Sequence, residues 1–376
     1  MKVILFNPFH IGDLYFTKEF IRAIVKNNPA HKFYMACQQF YSLYSDIDNL
    51  EVLQRPNDKD LHIESNDIDL TKRYYIKDDT LYINGSLIIN SGTTESPSKK
   101  YICTLTLECM NKYYNDNIQG ANSLGIEPKL VFNNLSHEES LPVIFAGLKF
   151  SDLPQEIKSY LAKPCIFYFN MKPVTPWFGD SIESNPQKYP DDNKNIESIA
   201  LKYTSYTIIV PKETTIKMNN VISLYDLNIR ETGDGKNLLI YAFIASFCPV
   251  IVIKETGGTH VVFNRDMMKS PLKQHIIILY SEDTDAIIKK EYGISMLEGL
   301  QKLILQDNKH LILSSKYDSE TILGEIEKIG AITPPTLPLD PPSGGRRSIH
   351  RKYNYVKKRK TKIQTKRLRK KKTVKI

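Results

Sequence analysis

Apolar residues recur along this chain in short runs, and the period of each run assigns an element. Val3–Phe6 is a continuous apolar run that stops at Asn7-Pro8 and reads as a strand. Phe16, Phe20, Ile21, Ile24 and Val25 then recur at helical spacing, up to Asn27-Asn28-Pro29. Phe33–Cys37 is a second short apolar run. Strand, loop, helix and strand in that order form a βαβ unit, which implies a parallel sheet. Residues 54–80 are polar and acidic and are expected to be irregular, Leu81–Asn90 reads as strand, and Lys99–Asn117 reads as helix. Residues 118–160 show no clear period.

A second α/β unit begins at Pro164. Its predicted strands are Cys165–Phe169, Thr207–Val210, Val221–Leu224, Val250–Ile253 and His275–Leu279. Its predicted helices are Ile196–Tyr203, Lys236–Phe247, Met296–Leu305 and Ser319–Ile329. The stretch Asn170–Asn193, rich in Pro, Asp, Asn and Ser, is expected to be a long loop, and such loops are more often functional than idle. The pattern therefore predicts two Rossmann-like lobes, residues 1–160 and 161–330, then a Pro/Gly linker over 331–345 and a disordered basic tail over 346–376.

Charge sharpens that division. Residues 343–376 hold 16 of the 51 Lys/Arg and no acidic residue, so residues 1–342 hold 35 basic against 42 acidic residues. The body is acidic and the tail carries the whole positive excess, so a nucleic-acid-binding argument from net charge applies to the tail alone. The five cysteines are scattered without a CxxC pair and are expected to be reduced, in a cytoplasm-like compartment. Met1–Phe6 is too short for a signal peptide, and Leu238–Ile253 is too short for a membrane span and contains Pro249.

In open α/β sheets, ligands bind outside the carboxyl ends of the strands. Two segments stand there. The first is Asn7-Pro8-Phe9-His10-Ile11-Gly12-Asp13, where Gly12 permits a close backbone approach. Asp13, expected just before the helix, is either its N-cap or a general base for a substrate hydroxyl. The second is Glu255-Thr256-Gly257-Gly258-Thr259-His260, leaving a buried strand and opening a predicted helix. Two glycines there let backbone N–H groups face an anion, although a plain strand-to-helix turn with a structural His260 is the simpler reading. A Walker lysine and GxGxxG are both absent. The Asp-x-Asp pairs Asp46/Asp48, Asp67/Asp69 and Asp283/Asp285 look like chance in an Asp-rich chain, and the histidine spacing predicts no metal site.

The two segments together resemble the heptosyltransferase-like family of GT-B glycosyltransferases. The likeness rests on Ile11-Gly12-Asp13-Leu14 with Thr17 and Asn28-Pro29, on Lys188-Tyr189-Pro190, and on Glu255-Thr256-Gly257-Gly258-Thr259-His260. In the family a proline stands where Lys18 is, and an Asp where Glu255 is. The resemblance implies a GT-B-like fold and transfer of a sugar from a nucleotide-diphosphate donor to a glycan or other hydroxyl acceptor, inverting and needing no cofactor or metal. It implies Asp13 as catalytic base, His10 and Gly12 on the acceptor side in the first lobe, and Lys188 with 255–260 holding the donor diphosphate.

The alternative is a catalytically degenerate GT-B-like binding or virion-associated protein that docks to nucleic acid or another polyanion through 346–376. The tail resembles C-termini of giant DNA virus proteins, which implies a host-cytoplasm or virion location. Its basic run also suits nuclear import or simple solubility.

Overall fold

The computed structural model describes residues 1–7, 11–37, 40–53, 68–90, 99–101, 106–170, 192–230, 235–254, 257–280, 286, 289 and 296–330. The expected linker and tail lie outside them. Two sheets dominate. The first contains β1 (Lys2–Phe6), β2 (Lys32–Ala36), β3 (Leu50–Leu53), β4 (Tyr74–Lys77) and β5 (Thr80–Asn84), in the order β3-β2-β1-β5-β4. All its pairings are parallel except β4 with β5. A small antiparallel pair, β6 (Ile88–Asn90) and β7 (Lys99–Tyr101), follows.

The second sheet contains β8 (Cys165–Tyr168), β9 (Thr207–Val210), β10 (Val221–Ser223), β11 (Val250–Lys254), β12 (Gln274–Leu279) and β13 (Lys309–Ser314). Every pairing is parallel, in the order β10-β9-β8-β11-β12-β13. Numbered from β8, this is the 3-2-1-4-5-6 order of a doubly wound nucleotide-binding sheet. β8, β9 and β11 are buried along their whole length. That is why they are unbroken apolar runs rather than alternating ones. The chain is thus α/β with two Rossmann-like parallel sheets, as its strand–helix alternation implies.

The helices are α1 (Ile11–Asn27), α2 (Leu107–Ser123), α3 (His137–Ser140), α4 (Gln155–Leu161), α5 (Asp192–Lys202), α6 (Lys236–Ala245), α7 (Arg265–Lys269), α8 (Met296–Gln301) and α9 (Ser319–Ile329). α1 buries Leu14, Tyr15, Phe16, Phe20, Ile21, Ile24 and Val25, each worth roughly 1.5–3 kcal/mol of burial. It stops at Asn28, whose side-chain amide donates to the carbonyls of Ile24 and Val131, both at 2.7 Å. One core runs from Val3 and Leu5 of β1 through α1 to Ile251 and Ile253 of β11, and residues 1–337 group as one compact unit.

Several expectations need correction. α1 begins at Ile11, so Asp13 lies inside its first turn and not before it. The 81–90 strand is two strands broken at Gly85-Ser86-Leu87. The helix expected over 99–117 is a strand at Lys99–Tyr101 and a helix from Leu107, started by Thr106, whose hydroxyl accepts from the Cys109 N–H at 3.4 Å. β4 lies in the stretch taken as irregular, and β13 was not expected at all. The helix expected after Gly257-Gly258 is a 3-10 turn, Gly257–Val262, followed by the short α7.

Gly120 and Gly235 are both required by geometry: a Cβ on Gly120 of α2 would run into the Tyr74 ring, and Gly235 adds a positive φ to a close approach. Gly235 caps α6 at φ 84°, and a Cβ there would sit 3.0 Å from the Cα of Phe40. Gly235→Ala should therefore destabilise the chain by about 1–3 kcal/mol, read as a lower urea midpoint at unchanged slope. An unchanged midpoint would contradict this close approach of α6 to the 3-10 turn Tyr41–Tyr44.

Candidate functional site at the strand-order reversals

Strand order reverses between β8 and β11 in the second sheet, and ligands of such sheets sit outside the carboxyl ends at that point. β8 precedes residues 171–191, which lie outside the described residues, and β11 precedes the 255–260 segment singled out by sequence. Lys188, Glu255 and Thr256 fall outside the described residues. Gly257, Gly258 and Thr259 open the 3-10 turn, whose first N–H groups have no partner within the turn itself. In the first sheet the order reverses between β1 and β5, and β1 leads through Asn7 to the start of α1. Gly12 and Asp13 occupy that first turn, while His10 lies outside the described residues, as does the side chain of Asp13.

The fold brings these two segments together. The Tyr15 hydroxyl donates to the Val261 carbonyl at 3.2 Å, and the Phe16 ring lies 5.3 Å from the His260 ring. The sequence pattern puts Gly12-Asp13 and Gly257–His260 after the carboxyl ends of two strands. Packing of α1 on the 257–262 turn makes these two strand ends neighbours.

His260 is 6% exposed, and neither ring nitrogen has a hydrogen-bond partner among the described residues. Burial pushes its pKa down to about 4, so the ring is neutral at neutral pH. Thr17, part of the sequence resemblance, is fully buried, and its hydroxyl points back to the Leu14 carbonyl at 3.4 Å.

A second cluster was not singled out in the sequence. Lys254, the last residue of β11, is 2% exposed and forms an ion pair with Asp192, the first residue of α5. Asp192 also accepts from the Tyr168 hydroxyl at 2.9 Å, and the Asn195 amide donates to that hydroxyl at 3.2 Å. The pair therefore ties the root of the 255–260 segment to the end of 171–191, across the reversal. A lysine inside an apolar strand end was the available signal: Val250–Ile253 admits such a charge only if a partner is buried with it.

A third cluster ties α1 to the body. Lys18 is buried, bonds to Asp46 and donates to the Val143 carbonyl at 2.7 Å. Burial lowers its pKa, and Asp46 opposes that shift. Arg22 bridges Glu19 at 2.8 Å and Asp46 at 2.9 Å. Glu19 accepts from the Val143 N–H at 2.9 Å, and the Arg265 side chain donates to the carbonyls of Glu138 and Glu139. Lys18 thus has a structural role, and Asp46 serves as its counter-ion.

No family model matches the chain. No curated protein matches it either. Among solved structures, an E. coli heptosyltransferase WaaC with ADP aligns at TM-score 0.41 and 14% identity, over 87% of this chain and 99% of that one. E. coli ADP-heptose LPS heptosyltransferase II aligns at 0.40 and 12%, over 88% and 98%. A family 9 glycosyl transferase from Veillonella parvula aligns at 0.38 and 11%, over 87% and 89%. These likenesses are weak.

Two outcomes follow. Lys254→Ala should cost about 3–5 kcal/mol by stranding Asp192, and Lys254→Met with Asp192→Leu should recover much of it; equal losses in both variants would contradict a buried pair. For His260, the folded pKa of about 4 lies below the ordinary 6.5, so the unfolded chain binds more protons between those values. Its contribution, up to about 3 kcal/mol, is present above pH 6.5 and lost as pH falls through that window. Urea melts of His260→Phe should show a correspondingly shallower acid loss than the parent, and parallel pH curves would contradict the assignment.

Proposed function

We propose that this chain is a glycosyltransferase that moves a sugar from a nucleotide-diphosphate donor to an acceptor hydroxyl, with inversion and without an essential metal. The observation that carries the reading is the 3-2-1-4-5-6 sheet whose order reverses between β8 and β11, with β11 followed by the Gly257–Val262 turn and the first turns of α1 packed on that turn. The ordered resemblance of Gly12-Asp13, Lys188-Tyr189-Pro190 and Glu255–His260 supports the same reading.

The donor diphosphate lies at the reversal point. Backbone N–H groups of the 257–260 turn and the Lys188 ammonium offset its charge, and the charge that grows on it as it leaves. Glu255 accepts from the donor's ribose. Asp13 takes the proton of the acceptor hydroxyl while that oxygen bonds to the anomeric carbon and the bond to the diphosphate breaks. One displacement inverts that carbon. The buried Lys254–Asp192 pair holds the two donor-side segments in register. His10 and Gly12 border the acceptor.

Thermal melts with a panel of ADP, GDP, UDP and CDP should show a rise in Tm with at least one. Asp13→Asn should keep that rise while losing transfer by about 10²–10⁴-fold, measured as free nucleotide released from the matching nucleotide sugar. No rise with any diphosphate, or full transfer by Asp13→Asn, would remove the reading.

The charge asymmetry supports a separate role for residues 346–376, docking to nucleic acid or another polyanion. Duplex DNA binding by the full chain should weaken steeply between 50 and 200 mM salt, and deletion of 343–376 should abolish it. Binding that survives the deletion would place the polyanion site on the body.

A further inference from the structure

A cavity of about 350 Å³ lies among α1, α2, α3 and α8. Phe16, Phe20, Leu107, Met110, Leu141 and Leu303 supply its apolar wall. That volume lies in the range of small-molecule sites, and the mix of an apolar wall with a few polar groups is what such sites share.

Three features set it apart from a packing defect. Gly299 of α8 lines it, and a Cβ built on Gly299 meets no atom within 4 Å. Glycine inside a helix costs about 1 kcal/mol relative to alanine, so a buried glycine facing open space holds volume that any side chain would fill. Next, His137 lines the wall, and its Nε2 is buried without a hydrogen-bond partner among the described residues. Burial also lowers the His137 pKa, so it meets a ligand as a neutral imidazole. Finally, Lys302 brings an ammonium group to the lining, and no carboxylate stands among the described lining residues.

We propose that this cavity binds an anionic amphiphile, an alkyl or aryl chain seated among Phe16, Phe20, Leu107 and Met110 with its acidic group at Lys302 and His137. The apolar part displaces water from the wall. The anion meets the Lys302 ammonium, and the buried Nε2 gains a partner. The same Phe16 whose ring lies near His260 forms part of this wall, so an occupied cavity braces the packing of α1 on the 257–262 turn. This inference rests on the cavity and is independent of the glycosyl-transfer reading.

The test uses the full chain with dodecanoate, below its micellar concentration, and with neutral dodecanol, measured by titration calorimetry. Dodecanoate is expected to bind saturably at one site and to raise Tm. Gly299→Leu fills the cavity from a position with room for the side chain, and should weaken binding by at least tenfold at equal or higher thermal stability. Leu107→Trp fills it from the opposite wall and should do the same, which guards against loss of fold in either variant. Lys302→Gln should weaken dodecanoate several-fold and leave dodecanol unchanged. No saturable binding, or parental affinity in both filled variants, overturns the proposal. Equal affinity for the acid and the alcohol overturns the anionic part of it. Dodecanoate binding without any nucleotide response removes only the glycosyl-transfer reading, and the reverse result removes only this one.

Discussion

The structure turns on the burial of α1 by both halves of the chain. The helix follows β1 of the first sheet, yet its inner residues share one continuous core with β11 and α6 of the second. A helix normally buries one stripe against its own sheet. Here Tyr15 and Phe16 continue that stripe onto the 257–262 turn, through the hydroxyl bond to Val261 and the ring contact to His260. On another face the charged network of Lys18, Glu19 and Arg22 holds the helix to Asp46 and to the 138–143 segment. That segment is in turn clamped by Arg265 of α7. The two halves are therefore joined by apolar packing and by the hydrogen bonds of Arg265 to the Glu138 and Glu139 carbonyls, and the candidate site lies where the joint meets the strand ends.

The long apolar strands were legible because both of their faces are covered. β1, β8, β9 and β11 need no alternation, and their runs mark themselves. β13 was hidden for the opposite reason. It is the edge of its sheet, and its short apolar run Leu311–Leu313 stands between polar ends that the fold buries with partners, Lys309 on the Ser270 carbonyl at 2.8 Å and Ser314 on the Lys316 carbonyl at 3.0 Å. β4, also an edge strand, is Tyr-Tyr-Ile-Lys inside a polar stretch, and only its pairing with β5 defines it. The start of α2 was misplaced because residues 99–101 pair as a strand, and local sequence alone does not separate that pairing from a helical turn.

The candidate site was legible as two short motifs, because glycines at strand-to-helix junctions stand out against apolar runs. Their adjacency was not legible, since it depends on tertiary packing over 246 residues of separation. The Lys254–Asp192 pair was missed for a related reason. Lys254 at the end of an apolar run signals a buried partner, but only the fold identifies that partner as Asp192. Lys18 shows the same limit, with its counter-ion 28 residues away.

The proposed sugar transfer requires a nucleotide site at the reversal point between β8 and β11. Hydrogen–deuterium exchange on the full chain, with and without a saturating nucleoside diphosphate, tests it most directly. The account predicts new protection in peptides covering 254–262 and 186–195, with the β12–β13 edge unchanged. Protection confined to other segments, at a concentration where the nucleotide is bound, would contradict it.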